Sequence, residues 1–226
     1  MNPQEFMESS EIMLNIGCGP NGLNHWLNYD WGVLPLLSKF PGVRRCLIQL
    51  GVLPKGYDLP WARLKLVDIR KQFPLADGAV KFIYCSHVIE HFEQWEALHI
   101  LRECRRCLQN DGVLRLVVPD IPKLIACYQQ AVAAAQPGAR PARDLCRLWW
   151  GFDKDIEPGS FLGRLSRRFI RDHQWNYDRQ ELELLVKEAG FRAMTVCDFA
   201  KGAVPDLDKL DLEGHKAHSI YVEVTQ

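Results

Sequence analysis

The feature that most constrains the fold is the alternation of short apolar segments with helical segments along the chain. The predicted strands span residues 12–16, 27–29, 64–67, 80–85 and 113–118, with two closing strands near Val196 and over 219–224. Helices are predicted from about Glu93 to Leu108, from Pro122 onward, and after Asp178, which can form a capping box with Glu181. Strands that alternate with helices build a mostly parallel sheet covered on both faces. The sequence therefore predicts an α/β fold.

Length and composition indicate one globular domain over residues 1–226. Lys plus Arg and Asp plus Glu each number 28, and this zero net charge argues against binding nucleic acid by bulk electrostatics. The first residues carry three Glu and no Lys or Arg, unlike a signal peptide, and no apolar run approaches the roughly 18 residues of a membrane span. We expect a cytoplasmic protein whose segments 32–60 and 129–172 are inserted or cap the substrate. Its oligomeric state is not predicted.

Polar residues and a glycine follow four of the predicted strands. They are Asn15 and Gly17, Asp30, Asp68, and Ser86 with His87. In an open parallel sheet, ligands bind outside the carboxyl ends of the strands. We therefore predict that these residues form one site, although each carboxylate could also be an ordinary turn residue.

The glycine loop at residues 17–22 matches the pattern G-x-G-x-x-G directly after a strand. Its first interpretation is a nicotinamide dinucleotide site, which requires a full helix after the loop and an acidic residue about 20 positions on. Asp30, however, ends the next strand only eight residues after Gly22, which leaves no room for both a helix and a strand. A nucleoside ligand without phosphates fits this spacing better, and S-adenosylmethionine is the common one.

Several motifs carry a family resemblance. They are LNIGCG at 14–19, WLNYD at 26–30, SHVIEH at 86–91, GVLRLVVPD at 112–120 and HQWNYD at 173–178. With them the chain resembles the class I S-adenosylmethionine-dependent methyltransferases, and most closely a bacterial methyltransferase-11-like family. The resemblance covers roughly residues 11–128 and 173–224. It implies a Rossmann-like fold with a mostly parallel seven-stranded sheet and helices on both faces.

The resemblance also implies which residues bind the cofactor. Those around its methionine part would be Asn15, Gly17, Cys18, Gly19, Cys85, Ser86 and His87. Asp30 would accept hydrogen bonds from both ribose hydroxyls, because an ionised carboxylate only accepts. Asp68 would bind the adenine amino group, and the Ile69 backbone would bind a ring nitrogen.

The catalytic prediction is less specific, because alignment of nucleophile, methyl and sulfur supplies much of the rate of methyl transfer. An oxygen nucleophile of high pKa would still need a base. The candidates, in order, are His173, His87 and Asp120. For each a structural role is the alternative, a hydrogen-bonded histidine or a helix cap.

The predicted acceptor site lies in the later part of the chain. Its candidate substrate-binding residues are Trp175, Tyr177, Arg168 and Arg171. The last two belong to a basic cluster with Arg164 and Arg167 that could clamp an anionic acceptor. The alternative is a solvated helix face.

The sequence His87-Val-Ile-Glu90-His91 also matches H-x-x-E-H, the order of zinc ligands in one metallopeptidase class. The two histidines directly follow a predicted strand at a cofactor-site position, and the sequence indicates no third ligand. We therefore expect no metal, and packed thiols rather than a zinc site for the eight scattered cysteines.

The predicted function is methyl transfer from S-adenosylmethionine to a small-molecule or glycan-precursor acceptor, at oxygen or nitrogen. One alternative is a catalytically silent protein that binds the cofactor. It stays open because Asn15 replaces the acidic residue that often opens the motif, and because the third glycine is displaced to position 22. An NAD-dependent oxidoreductase is the other alternative.

Overall fold

A twisted β-sheet organises the computed structural model, which describes residues 11–53, 57–151 and 171–226. Its strands are β1 (Ile12–Ile16), β2 (Leu27–Asp30), β3 (Leu64–Leu66), β4 (Val80–Ser86), β5 (Leu108–Pro119), β6 (Ala193–Cys197) and β7 (Ser219–Thr225). The described part of the chain forms one seven-stranded sheet in the order β3-β2-β1-β4-β5-β7-β6. The first five strands pair in parallel, whereas β7 runs antiparallel to β5 and β6. The predicted α/β fold is confirmed.

The helices lie in the connections between the strands. They are α1 (Val33–Ser38), α2 (Pro41–Gln49), α3 (Gln94–Cys107), α4 (Ile121–Ala133), α5 (Pro141–Trp150), α6 (Arg179–Glu188) and α7 (Leu207–Leu210). Helix α3 begins at a capping box between Glu93 and Glu96, and the Asp178 side chain accepts a hydrogen bond from the Glu181 amide at the start of α6. Within the described ranges, no helix is both long and apolar enough to cross a membrane.

The sheet is buried on both faces. The larger apolar cluster joins strand residues such as Leu14 and Ile83 to Leu101 of α3 and Leu182 of α6. A smaller cluster on the other face contains Trp26, Tyr84, Leu207 and Tyr221. Because successive side chains of a strand point to opposite faces, neighbours on β4 enter different clusters.

Strand β5 differs from the prediction at its beginning. The sequence Asn110-Asp111-Gly112 predicts an interruption, but β5 runs on from Leu108. The extra residues are accommodated by a shift in register, since Val80 pairs with Leu108 and Phe82 with Val113. Glycine is required at 112, where a Cβ would lie 2.9 Å from the Lys81 carbonyl oxygen.

Candidate cofactor site

A cavity of about 740 Å³ lies at the carboxyl ends of β1, β2, β3 and β4. Among the residues that line it are Gly17, Asp30, Asp68, Ile69 and His87. These residues come from four separate strand ends, which the parallel pairing brings to one edge of the sheet. The structure thus places half of the predicted cofactor residues around one space.

The glycine loop after β1 has two glycines in left-handed backbone conformations. Gly17 has a φ of +65°, and a Cβ there would collide with a methyl group of Val88. Gly19 has a φ of +51° with open space beside it. Gly17 therefore meets both a conformational and a packing requirement, and Gly19 only the first.

Asp30 is held by the loop that it faces. The Gly19 amide donates to its Oδ2 at 2.8 Å, and the Trp31 amide donates to its Oδ1 at 2.7 Å. Burial raises the pKa of the Asp30 carboxyl above its ordinary value, and these two amides oppose that rise. A carboxylate offers about four lone-pair sites, so Asp30 can still accept hydrogen bonds from a ligand in the cavity.

Asp68 also lines the cavity and is paired with Arg70. The guanidinium donates from Nε to Oδ1 at 2.8 Å and from Nη2 to Oδ2 at 2.9 Å. The hydrogen bonds from Arg70 lower the pKa of the Asp68 carboxyl, which keeps it ionised. A contact with an adenine amino group would therefore share this carboxylate with Arg70.

Comparison with known protein families matches residues 5–196 to a model described as a methyltransferase domain. The chain belongs to this methyltransferase family. This membership confirms the enzyme class predicted from the motifs, while the finer, methyltransferase-11-like resemblance stays a prediction. A search of curated protein sequences finds no significant match.

Several solved structures have a similar fold at low sequence identity. The PH0226 protein from Pyrococcus horikoshii OT3 has a TM-score of 0.52 at 13% identity, over 98% of this chain and 84% of its own. PigF, solved with SAH, has a TM-score of 0.51 at 13% identity, over 96% of this chain and 50% of its own. A SAM-dependent methyltransferase from Archaeoglobus fulgidus scores 0.49 at 12% identity, over 99% and 89%. This methyltransferase thus spans only half the length of PigF.

The other predicted cofactor residues do not line the cavity of this methyltransferase. They are Asn15, Cys18, Gly19, Cys85 and Ser86. Cys18 lies next to Asp30, with Sγ 4.0 Å from Oδ2, and burial raises the pKa of its thiol to about 12. Cys85 packs into the larger apolar cluster, because Tyr84 takes the opposite face of β4. The Cys85 side chain is therefore buried in the core and is not part of the cavity lining.

The three predicted bases lie in different environments. His87 lines the cavity with a φ of +53°, and both ring nitrogens have protein neighbours, Ser219 Oγ at 2.9 Å and Glu90 Oε1 at 3.1 Å. Asp120 is buried at the start of α4, and burial raises the pKa of its carboxyl. His173 is 7% exposed, and burial lowers the pKa of its imidazole to about 4. Of the three, only His87 belongs to the cavity lining.

The predicted acceptor residues are also separated. Arg171 lines the cavity, where its guanidinium donates to Glu96 at 2.8 Å. Trp175 is 43% exposed, whereas Tyr177 is fully buried in the core and cannot touch an acceptor in this conformation. Arg168 lies outside the described residues, as do Arg164 and Arg167.

Sequence reasoning missed some of the cavity lining and one buried cluster. The missed lining residues include Trp31, Val33, Arg70, Val88, His91 and Phe92. The sequence contained a signal for Trp31 and Arg70, because each lies within two residues of a predicted carboxylate.

The missed buried cluster contains Glu90. Burial opposes ionisation of its carboxyl, but His87, His91 and His173 surround it and lower its pKa. No local pattern places His173 there.

Proposed function

We propose that this methyltransferase transfers a methyl group from S-adenosylmethionine to a small-molecule or glycan-precursor acceptor, at an oxygen or nitrogen atom. The observation that carries the proposal is the position of Asp30, whose carboxylate faces the cavity directly beside the glycine loop. A carboxylate at this position has the chemistry to bind two ribose hydroxyls.

The loop geometry favours a nucleoside over a dinucleotide. After Gly17 the chain forms only a 3₁₀ turn at Gly19–Asn21 and then enters β2. A pyrophosphate is bound at the N-terminus of a full helix, where backbone amides and the helix dipole favour negative charge. A single turn supplies little of either, so the NAD-dependent alternative is disfavoured.

The acceptor end of the cavity combines apolar and cationic groups. Trp31 and Phe92 supply aromatic walls, and Arg171 supplies positive charge. We infer that residues 1–226 act as one domain in which segments 32–60 and 129–172 shape this end. Val33 of the first segment lines the cavity, and Trp149 of the second contacts His173. The cytoplasmic location and the absence of nucleic-acid binding stay predictions.

The proposal is tested by calorimetry with S-adenosylmethionine, S-adenosylhomocysteine and NAD. The unaltered chain should bind the two adenosyl ligands, and Asp30→Ala should weaken that binding at least about 100-fold. This figure follows because a hydrogen bond to a charged group contributes about 1.5–3 kcal/mol and two are lost. Asp208→Ala, an exposed carboxylate on α7, is the matched control and should bind normally.

Three results would separate the alternatives. A response to NAD alone would indicate an oxidoreductase, and equal binding by Asp30→Ala would reject the assigned ribose contact. Binding of S-adenosylmethionine without release of S-adenosylhomocysteine across a broad acceptor panel would favour the catalytically silent protein.

A further inference from the structure

Glu90, His91 and His173 form a cluster beside the cavity. One side-chain ligand atom from each lies within 4.8 Å of the others. Glu90 and His91 belong to the 3₁₀ turn that follows β4, and His173 comes from a segment much later in the chain. The Gln174 and Trp175 amides both donate to the Glu90 carbonyl oxygen, at 2.7 and 3.1 Å. Backbone hydrogen bonds therefore hold the later segment against the turn.

The Glu90 carboxylate is the unusual member of this cluster. Its side chain is fully buried, and neither oxygen accepts a hydrogen bond from any residue that the structure describes. His87 Nδ1 lies 3.1 Å from Oε1, but the two are not aligned as a hydrogen bond. A buried carboxylate is costly unless it is paired or coordinates a metal. The neighbours of this carboxylate are imidazole rings, and it has no aligned hydrogen bond from the described residues.

The two histidines are held through the same ring nitrogen, Nδ1. His91 Nδ1 lies 2.7 Å from the Arg171 carbonyl oxygen, and His173 Nδ1 lies 3.1 Å from the Trp149 carbonyl oxygen. Because a carbonyl oxygen only accepts, each Nδ1 carries a proton, so in the neutral ring Nε2 is the nitrogen that can bind a metal. A histidine that binds a metal is oriented in this way, by donating its other ring N–H to a carbonyl or carboxylate.

The end of α5 lies close to the later histidine. Gly151 ends α5 with a φ of +76°, and a Cβ there would collide with Nε2 of His173 and lie 2.6 Å from its Cδ2. Glycine at this position therefore lets the end of α5 pack closely against the Nε2 edge of the His173 ring.

We propose that Glu90, His91 and His173 bind a divalent transition-metal ion, for which Zn²⁺ is the test ion. Two imidazole nitrogens and one carboxylate are a ligand set that Zn²⁺ uses when a fourth position stays open. Coordination at about 2.0–2.2 Å requires the three ligand atoms to approach one another more closely than 4.8 Å, by small rotations of their side chains. His91 also lines the cavity, so the fourth position is accessible from it.

This site differs from the one that the H-x-x-E-H order indicates. In that pattern His87 and His91 are ligands and Glu90 is a base. In the structure His87 is bound instead to Ser219, and its ring stacks on His215 with centroids 3.8 Å apart. Glu90 becomes a ligand and His173 supplies the third, so the proposed chemistry is binding rather than peptide hydrolysis.

For the test, the full chain is first treated with a chelator to remove any bound metal. It is then titrated with Zn²⁺ in competition with a chromophoric chelator. The unaltered protein should bind one ion with a Kd below about 1 μM, and Glu90→Gln and His173→Gln should each weaken binding at least about 100-fold. His218→Gln, a half-buried histidine outside the cluster, is the matched control and should bind as the unaltered chain does. Co²⁺ should give the intense visible absorption of a tetrahedral site, which Glu90→Gln should remove.

Stoichiometric binding that survives both cluster variants would overturn the proposal, and so would an absence of binding. Binding of S-adenosylhomocysteine is measured on the same samples and reports whether each variant is folded. It also tests the proposed function separately, because Asp30 and this cluster are distinct groups. If His173→Gln fails to fold, Glu90→Gln decides the result.

Discussion

Two buried charged clusters of this methyltransferase differ in how completely their charges are paired. In the first, Arg115 and Asp211 are fully buried and their side chains lie 2.6 Å apart. The guanidinium also donates to two backbone carbonyls, at 2.9 and 3.0 Å. Asp211 accepts further hydrogen bonds from the Ala200 amide and the Tyr84 hydroxyl. The opposite charges of this cluster are paired with each other, although Arg115 Nε has no hydrogen-bond partner among the described residues.

The second cluster, formed by Glu90, His91 and His173, leaves its carboxylate without a hydrogen bond from the described residues. Both clusters lie beside β4, so burial alone does not explain the difference. A paired cluster contributes to holding the fold together. The second cluster instead has the side chains of the proposed metal site. The same chemical change in the two clusters should therefore have very different effects.

The largest expected effect is that of Asp211→Asn. It removes the negative charge and leaves the buried Arg115 guanidinium uncompensated, so the free energy of unfolding should fall by about 3–5 kcal/mol. Urea denaturation at neutral pH measures the change. Replacing the pair with Arg115→Met and Asp211→Leu together should restore most of the stability, because no unpaired charge remains. A loss below about 1 kcal/mol for Asp211→Asn would show that the first cluster is not a structural element.

A smaller effect is expected at Asp206, a partly exposed residue of the segment that carries Asp211. Its carboxylate accepts hydrogen bonds from Lys209 at 2.8 Å, His25 at 2.8 Å and Trp26 at 3.1 Å. These donors, Lys209 first, hold the pKa of Asp206 well below its ordinary value. A carboxyl with a depressed pKa stabilises the fold above the unfolded pKa of about 3.9, and this contribution is lost as the pH falls below it.

Asp206→Asn should accordingly lower the free energy of unfolding by up to about 1 kcal/mol at pH 7. The difference from the unaltered chain should shrink as the pH is lowered from 5 towards 3, in urea denaturation at each pH. Asparagine tolerates the left-handed backbone of this residue, whose φ is +58°, so the variant tests the charge rather than the backbone. A difference that does not depend on pH would contradict this assignment.

The smallest effect on stability is expected for Glu90→Gln, the same acid-to-amide change in the second cluster. Without added metal, the free energy of unfolding should change by less than about 1 kcal/mol, because the carboxylate has no hydrogen bond to lose. Urea denaturation beside Asp211→Asn makes the comparison direct. A loss as large as that of Asp211→Asn would show that Glu90 is part of a structural ion pair with His87. The cluster of Glu90, His91 and His173 would then stabilise the fold as the Arg115–Asp211 cluster does.

Much of the fold could be predicted because its signals are local. Apolar periodicity located β1, β2, β4 and α3 to within a residue or two, and Pro122 lies in the first turn of α4 as predicted. The glycine loop and Asp30 are separated by few residues, so chain geometry alone brings them close together. This proximity is why the cofactor side of the site could be outlined without a structure.

The remaining features depend on which strands become neighbours and on which face each side chain takes. Cys85 was predicted to contact the cofactor and Tyr177 the acceptor, yet both enter the core, because one residue along a strand or turn reverses the direction of a side chain. Arg115 and Asp211 are 96 residues apart, and their pairing follows from the packing of the 198–211 segment against β5.

The sequence by itself determined the order of the strands and the approach of Asp30 to the glycine loop, since both follow from short-range pattern and spacing, and its motifs carried the resemblance to the methyltransferases. The tertiary structure alone decided that His173 reaches Glu90 and His91, and that His87 turns to Ser219. The physical reason is that sheet order and packing create these contacts between distant segments. No local propensity encodes the resulting distances.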